Sequence, residues 1–296
     1  MNTPQAPPSQ RRPGQAATAP QPKPKRMSLS SATDRSPRQP GRILIYGAPG
    51  IGKTSIAAAF PNPIFLLTRG EDGLVNLINH GRVQPAKFFA QESGLPQFAE
   101  TWEDVIGAIE ELLAVPHDHK TFVLDTMNGA ERLCHEHVCR RDYAGNWGES
   151  GFVGYHRGYG TAVNDWRQLL QLLTDLGQKR GMTVVSLLHS SVRDIPNPMG
   201  ARFEQWIPAL HKSTWEATAG WCNMILFAQQ RIFVSDDVKG RRGKAHTGGR
   251  VLCCTGAGPF ESKNQHGLPD EIEMGNSGAE AFANLVAAVK LNERKE

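Results

Sequence analysis

The chain has few cysteines, few aromatic residues and no long apolar run. Five cysteines in 296 residues are an odd number and too few to brace a chain of this length. That excludes a disulfide scaffold and points to a reducing cytoplasm. No stretch reaches the roughly 18 consecutive apolar residues that a membrane-crossing helix needs, so no membrane segment is expected. The N-terminus carries charge without an apolar core segment, which excludes a secretory signal, and its proline density argues against the amphipathic helix of a transit peptide. Acid is scarce at one end: residues 1–40 hold seven Lys/Arg against the single acid Asp34, a charge of +6. With +4 for the whole chain, residues 41–296 therefore carry −2. The basic balance belongs to the tail, and a wholly basic domain that coats nucleic acid is excluded.

What is present divides at residue 40. Residues 1–40 hold nine of the 20 prolines and little that could offset the entropy of ordering them, so they read as a disordered, basic tail. Arg11, Arg12, Lys23, Lys25 and Arg26 would make it an arm for nucleic acid or a partner; a solvated tail is the alternative. From Gly41 strands and helices alternate. Strands are expected at 43–46, 63–67, 121–124 and 182–188, with later ones at 224–227, 231–235 and 250–254, the last two paired as a hairpin. Helices are expected at 54–60, 102–115, 164–176 and 278–291. The fold class is α/β: one domain over 41–296, with a mainly parallel central sheet, helices on both faces and a C-terminal β-hairpin.

Residues Gly47-Ala48-Pro49-Gly50-Ile51-Gly52-Lys53-Thr54 match G-x-x-x-x-G-K-[ST], between an expected strand and an expected helix, with Ser55 following. Glycines let backbone N–H groups turn toward phosphate oxygens. Lys53 is placed to reach the β and γ phosphates, and the Thr54 hydroxyl to ligate Mg²⁺. The second half of such a site is an apolar strand ending in an acid. Thr121-Phe122-Val123-Leu124-Asp125 supplies it, with Asp125 on Mg²⁺ through water; a helix cap is the alternative for Asp125. Thr126 follows, so the base that activates water must come from elsewhere. Glu71, next to Asp72 after the second strand, is the candidate; a solvated turn is the alternative. His189 ends the fourth strand and is a candidate γ-phosphate sensor or a structural histidine.

Five segments in order resemble the RecA-like branch of P-loop ATPases: 47–55, 68–74, 122–126, 187–190 and 261–269. Within that branch they resemble the phage nucleotide-binding family that includes RecA-like single-strand annealing proteins. The resemblance spans about 41–275. It implies ATP and Mg²⁺ as cofactors, Glu71 as catalytic glutamate and His189 as polar sensor. Lys263-Asn264 resembles the start of a Lys-Asn-Arg motif whose lysine reaches a neighbouring subunit's nucleotide, although Gln265 replaces the arginine. It implies a ring or filament of identical subunits, single-stranded DNA and a single-strand DNA-binding protein as partners, and the cytoplasm of a bacterial host as location.

The resemblance also places DNA-contacting loops after the third and fourth strands. Residues 144–160 contain Trp147, Phe152, Tyr155, Arg157 and Tyr159. Residues 190–215 contain Arg193, Arg202, Phe203, Trp206, His211, Lys212 and Trp215. Cations mixed with aromatics suit single strands, because bases stack and phosphates pair; the same aromatics suit a subunit interface. The basic stretch 239–244 is a further candidate. Cys134, His135, His137 and Cys139 are metal-ligand types on one helix, but the pairs face different ways and lack C-x-x-C or H-E-x-x-H spacing. Two other classes remain: a nucleotide-switched protein-binding module with little hydrolysis, and a small-molecule kinase, disfavoured by the lack of an arginine-rich lid. A GTPase is disfavoured because no N-K-x-D segment occurs.

Overall fold

The structure is a computed structural model that describes residues 41–88, 97–197, 200–235 and 244–293. The tail and the basic stretch 239–243 lie outside the described residues. In chain order the elements are β1 (Arg42–Gly47), α1 (Lys53–Ala57), β2 (Pro63–Thr68), α2 (Gly73–Asn79), β3 (Ala86–Lys87), β4 (Phe98–Ala99) and α3 (Trp102–Ala114). Then come β5 (Thr121–Asp125), α4 (Met127–Tyr143), α5 (Arg157–Arg180), β6 (Thr183–Ile195), β7 (Phe203–Pro208) and α6 (Lys212–Trp221). The last are β8 (Met224–Ser235), β9 (Lys244–Cys253), β10 (Lys263–Asn264), β11 (Glu271–Glu273) and α7 (Gly278–Glu293).

The sheet order is β11-β9-β8-β1-β6-β5-β2-β3, with β4 beside β2, β10 beside β8 and β7 beside β6. The centre, β8-β1-β6-β5-β2, is parallel. Each central strand is buried on both faces, which is why it reads as a continuous apolar run. Alternate residues divide between two cores. Leu44, Tyr46, Ile64, Leu66, Phe122, Leu124, Val184 and Leu188 meet α3, α4 and α5. Ile43, Ile45, Phe65, Leu67, Val123, Val185 and Leu187 meet α1 and α7. The chain leaves β1 and returns in β2, three places along the sheet, so the cleft that holds ligands in open α/β sheets falls at the carboxyl end of β1.

The α/β class, parallel centre and antiparallel β8–β9 hairpin match expectation. Four details differ. Helix α1 stops at Ala57, where the expected helix ran to Phe60, because the chain closes into turns at Ala59 and Phe60. Helix α5 begins seven residues before the expected start, by the two boundaries Arg157 and Asn164, since Gly158, Ala162 and Val163 also find buried positions. Strand β8 is continuous over a register shift between Gln230 and Ile232, where two strands were expected. Finally, β6 does not stop at Leu188. It continues into an antiparallel arm with β7, in register from Ser190 opposite Pro208 to Ile195 opposite Phe203.

Candidate functional site

Strand β1 delivers Gly47 to the mouth of the cleft, and the loop to α1 turns there. Gly50 has φ +77°, a left-handed value, and a side chain placed on it would meet nothing. The loop therefore bends through a conformation that glycine adopts freely and leaves open space above it. Lys53 is buried, and its Nζ donates to the carbonyls of Gly47 (2.9 Å) and Ala48 (3.0 Å). Burial lowers its pKa to about 8, against the opposing pull of Asp125 and Glu71. The ammonium is thus held under the loop by two carbonyls that an anion can replace.

Thr54 Oγ1 donates to Asp125 Oδ2 at 3.0 Å. Burial raises Asp125 to about 6, more than the Thr54 hydrogen bond lowers it. A hydroxyl and a carboxylate side by side are hard oxygen donors of the kind Mg²⁺ takes with phosphate oxygens. The residues present therefore fit a nucleotide with its magnesium: the open glycine turn, the buried lysine beneath it and this oxygen pair.

Glu71 directly follows the Arg69-Gly70 turn after β2, and its N–H donates to the Thr68 carbonyl at 3.2 Å. Its Oε1 accepts from Thr126 Oγ1 at 3.2 Å and faces His189 Nε2 at 3.1 Å. Burial pushes its pKa up, but the His189 hydrogen bond and charge, Thr126 and Lys53 outweigh it, and the net shift is down. An ionised carboxylate only accepts, so His189 carries a proton on Nε2; its Nδ1 is buried with no partner among the described residues. Lys53, Thr54, Glu71, Asp125 and His189 all line one cavity of about 360 Å³ with Ser55. Asp72, by contrast, stands exposed just before α2 and makes no side-chain capping hydrogen bond.

The geometry adds residues that the sequence did not single out. Thr126 caps α4 by accepting from the Gly129 N–H and bonds Glu71 as well. Asn128 accepts from the His189 backbone N–H at 2.8 Å and donates to the Ala209 carbonyl at 2.5 Å. It therefore holds both ends of the β6–β7 arm beside the site. Helix α4 can approach this closely because residue 129 is glycine: a Cβ there would lie 2.0 Å from Thr68 Oγ1. Arg82 and Arg250 line the cavity too. A capping threonine just after an acidic strand end was a readable signal for Thr126; nothing local marks Asn128, Arg82 or Arg250.

The other candidates lie elsewhere. Lys263 donates to the carbonyls of Ala219 (2.9 Å) and Gly220 (3.4 Å), at the last turn of α6, and does not line this chain's phosphate cavity. Tyr155 is 94% exposed and, with His156, has positive φ. Arg157 is exposed, whereas Tyr159 is half-buried and stacks on His211 at 4.2 Å. Phe152 is fully buried. On the arm, Arg193 is exposed, Arg202 pairs with Asp194 at 2.8 Å, and Trp206 is 41% exposed; Lys212 lies past it at the start of α6.

The four metal-ligand types of α4 diverge. Cys134 and Cys139 enter the core, His135 packs on Phe152 and Tyr159, and His137 bonds Glu103. Among the described residues no group of three His, Cys, Asp or Glu could hold a metal ion. Among them also, no helix is long and apolar enough to cross a membrane.

No curated protein matches the chain. Among solved structures similar to this chain is a crystal structure of the RadB recombinase, 16% identical, covering 73% of this chain and 81% of that one at a TM-score of 0.37. A family model described as an AAA domain matches residues 39–266, from just before β1 to just after β10. The match takes in the phosphate loop, the acidic strand end and the strand that carries His189, and the chain belongs to this AAA domain family of nucleotide-binding ATPases.

Proposed function

We propose that the protein hydrolyses ATP with Mg²⁺ and couples that cycle to single-stranded DNA, in annealing, recombination or replication of the phage type. The observation that carries the reading is the Glu71–His189 contact, 3.1 Å long, inside the cavity that also holds Lys53, Thr54 and Asp125. It supplies a positioned carboxylate where a hydrolase needs one.

In hydrolysis, water oxygen bonds to the γ phosphorus, the bond from phosphorus to the β–γ bridging oxygen breaks, and ADP and phosphate leave. Glu71, kept ionised, accepts a hydrogen bond from the attacking water and draws off its proton. Thr126 and His189 fix the direction of that carboxylate. Lys53 gives up the carbonyls of Gly47 and Ala48 and bonds phosphate oxygens, where its charge offsets what develops in the transition state. Thr54 and Asp125 would hold Mg²⁺, which supplies charge neutralisation across the β and γ phosphates.

Support for the DNA half comes from the arm. The residue after His189 is Ser190, the first paired residue of the β6–β7 arm. A change at Glu71 thus has a path one residue long to a ribbon bearing Arg193, Arg202 and the exposed Trp206. Two successive non-glycine residues with positive φ, Tyr155 at 48° and His156 at 56°, store backbone strain beside an exposed aromatic, and such strain concentrates where function requires it. Lys263 would act in a neighbouring subunit only on leaving its helix cap, which makes assembly a condition of full activity.

The test is ATP turnover by wild type and Lys53→Ala, with and without single-stranded DNA. Stimulation by DNA in the wild type and loss in the variant are expected. Turnover indifferent to DNA would assign the arm to a protein interface.

A further inference from the structure

Lys53 shares the phosphate cavity with two carboxylates, Glu71 and Asp125, so its charge is offset before a polyanion arrives. Two further cations line the same cavity and are not offset. Arg250 and Arg82 form no ion pair among the described residues.

Arg250 stands on β9, in register with Gln230 of β8. Its side chain crosses to the phosphate loop, where Nη1 donates to the Ile51 carbonyl at 3.2 Å and Nη2 to the Gly275 carbonyl at 2.9 Å. A guanidinium has five N–H donors, so these two bonds leave three unused. The guanidinium packs closely on the loop at Gly52, where a Cβ would lie 2.9 Å from Nη1. Arg82 approaches from the loop after α2 and is exposed, with no side-chain hydrogen bond among the described residues.

These two arginines, with Ser55 and Leu77, are also the residues shared with a second cavity of about 760 Å³. That space has apolar walls at Ala58, Pro63, Val83 and Pro85 and polar groups at Asn276 and Ser277. Its size falls within the roughly 300–1,000 Å³ of small-ligand sites, and apolar walls with a few polar groups are their usual chemistry. A charged junction between a phosphate cradle and such a cavity fits a nucleotide at the phosphate next to its nucleoside.

We propose that Arg250 and Arg82 form a clamp within one subunit on the nucleoside-proximal phosphates, with the nucleoside in the adjoining cavity. Arg250 takes the phosphate with its unused N–H groups, while its bonds to Ile51 and Gly275 lock the loop to the segment that opens α7. This rests on the nucleotide-binding reading above and names further residues of that site.

The experiment titrates full-length wild type, Arg250→Ala, Arg250→Gln, Arg82→Ala and Lys53→Ala with ADP and ATP by calorimetry, alongside kcat at saturating ATP. Loss of a charged phosphate contact should weaken ADP and ATP alike, by about 10- to 100-fold for Arg250→Ala and about 3- to 10-fold for Arg82→Ala. The kcat should stay within about threefold, since a contact kept through the reaction affects binding more than the chemical step. Arg250→Gln removes the charge, and its amide ends where Arg250 has Nε, short of both carbonyls. Wild-type affinity in that variant would overturn the clamp. Unchanged affinities in Arg250→Ala and Arg82→Ala, with Lys53→Ala still defective, would overturn it too while leaving the phosphate site intact. If Arg250→Ala fails to fold, the exposed Arg82→Ala decides. A wild type that binds neither nucleotide would fail the nucleotide reading itself, and the clamp with it.

Discussion

The phosphate cavity and the aromatic arm sit at the carboxyl end of the same sheet and are built in opposite ways. In the cavity, the candidate catalytic and metal-binding side chains are already engaged: Lys53 on two carbonyls, Thr54 on Asp125, Glu71 on Thr126 and His189. Buried charge demands this, because an unpaired ion in a low dielectric is costly. On the arm and the adjoining loop, Tyr155, Arg193 and Trp206 are exposed, and Arg202 has only a surface pair. Under the proposed function, one region is held ready for a small anion and the other presents surface to something large. Between them stand Asn128 and His189, each touching both.

If the division is real, changes in the cavity should stop chemistry and changes on the arm should leave it. Lys53→Ala should reduce ATP turnover by about 100-fold or more with or without DNA, because it removes a cation from the transition state; steady-state turnover measures this. Glu71→Gln should lower kcat by about 10²–10⁴-fold, the usual worth of a general base, while ADP affinity measured by calorimetry stays near wild type. A parallel loss of ADP affinity would move Glu71 from catalysis to binding.

The helix that joins the regions can be broken separately. Gly129→Ala forces a methyl against Thr68 Oγ1, and overpacking of this kind should cost about 2–3 kcal/mol of stability, read as a lower denaturation midpoint.

Glu131 sharpens the comparison through pH. It is buried behind the arm, accepts from the His211 N–H at 2.9 Å, and burial raises it to about 7. Its folded pKa lies above the unfolded value, so the folded state binds the extra proton. Stability should therefore fall as pH rises from about 4.5 to about 7 and level off above that. Glu131→Gln should flatten this slope and raise stability at pH 8 by about 1–3 kcal/mol, as thermal denaturation at several pH values would record. A variant with the wild-type slope would assign it elsewhere. The smallest effect on basal chemistry is expected for Trp206→Ala with Tyr155→Ala. Turnover without DNA should stay within about twofold of wild type, while stimulation by DNA, worth about 1–3 kcal/mol of stacking per base, is lost.

The fold and the site were legible to different depths. Buried strands announce themselves as apolar runs, so β1, β2, β5 and the parallel part of β6 stood out. The arm did not. Its β6 half, Ser190 to Ile195, has an intermediate and exposed pattern that reads as loop until β7 pairs with it. Phe152 and Tyr159 looked like DNA-facing aromatics, yet Phe152 is fully buried and Tyr159 lies against His211. Composition distinguishes neither case, since an aromatic ring suits a core as well as a base.

The sequence by itself determined the phosphate loop, Lys53, Thr54 and the acidic end of β5, because chemistry that uses backbone turns needs particular residues at particular spacings. Only the tertiary structure decided that Glu71 meets His189 across 118 positions of chain, that Asn128 ties down the arm and that Arg250 crosses from β9 to the loop. Those contacts join residues far apart in sequence, and their partners are chosen by strand order and by close approaches such as that at Gly129, which leave no local pattern to read.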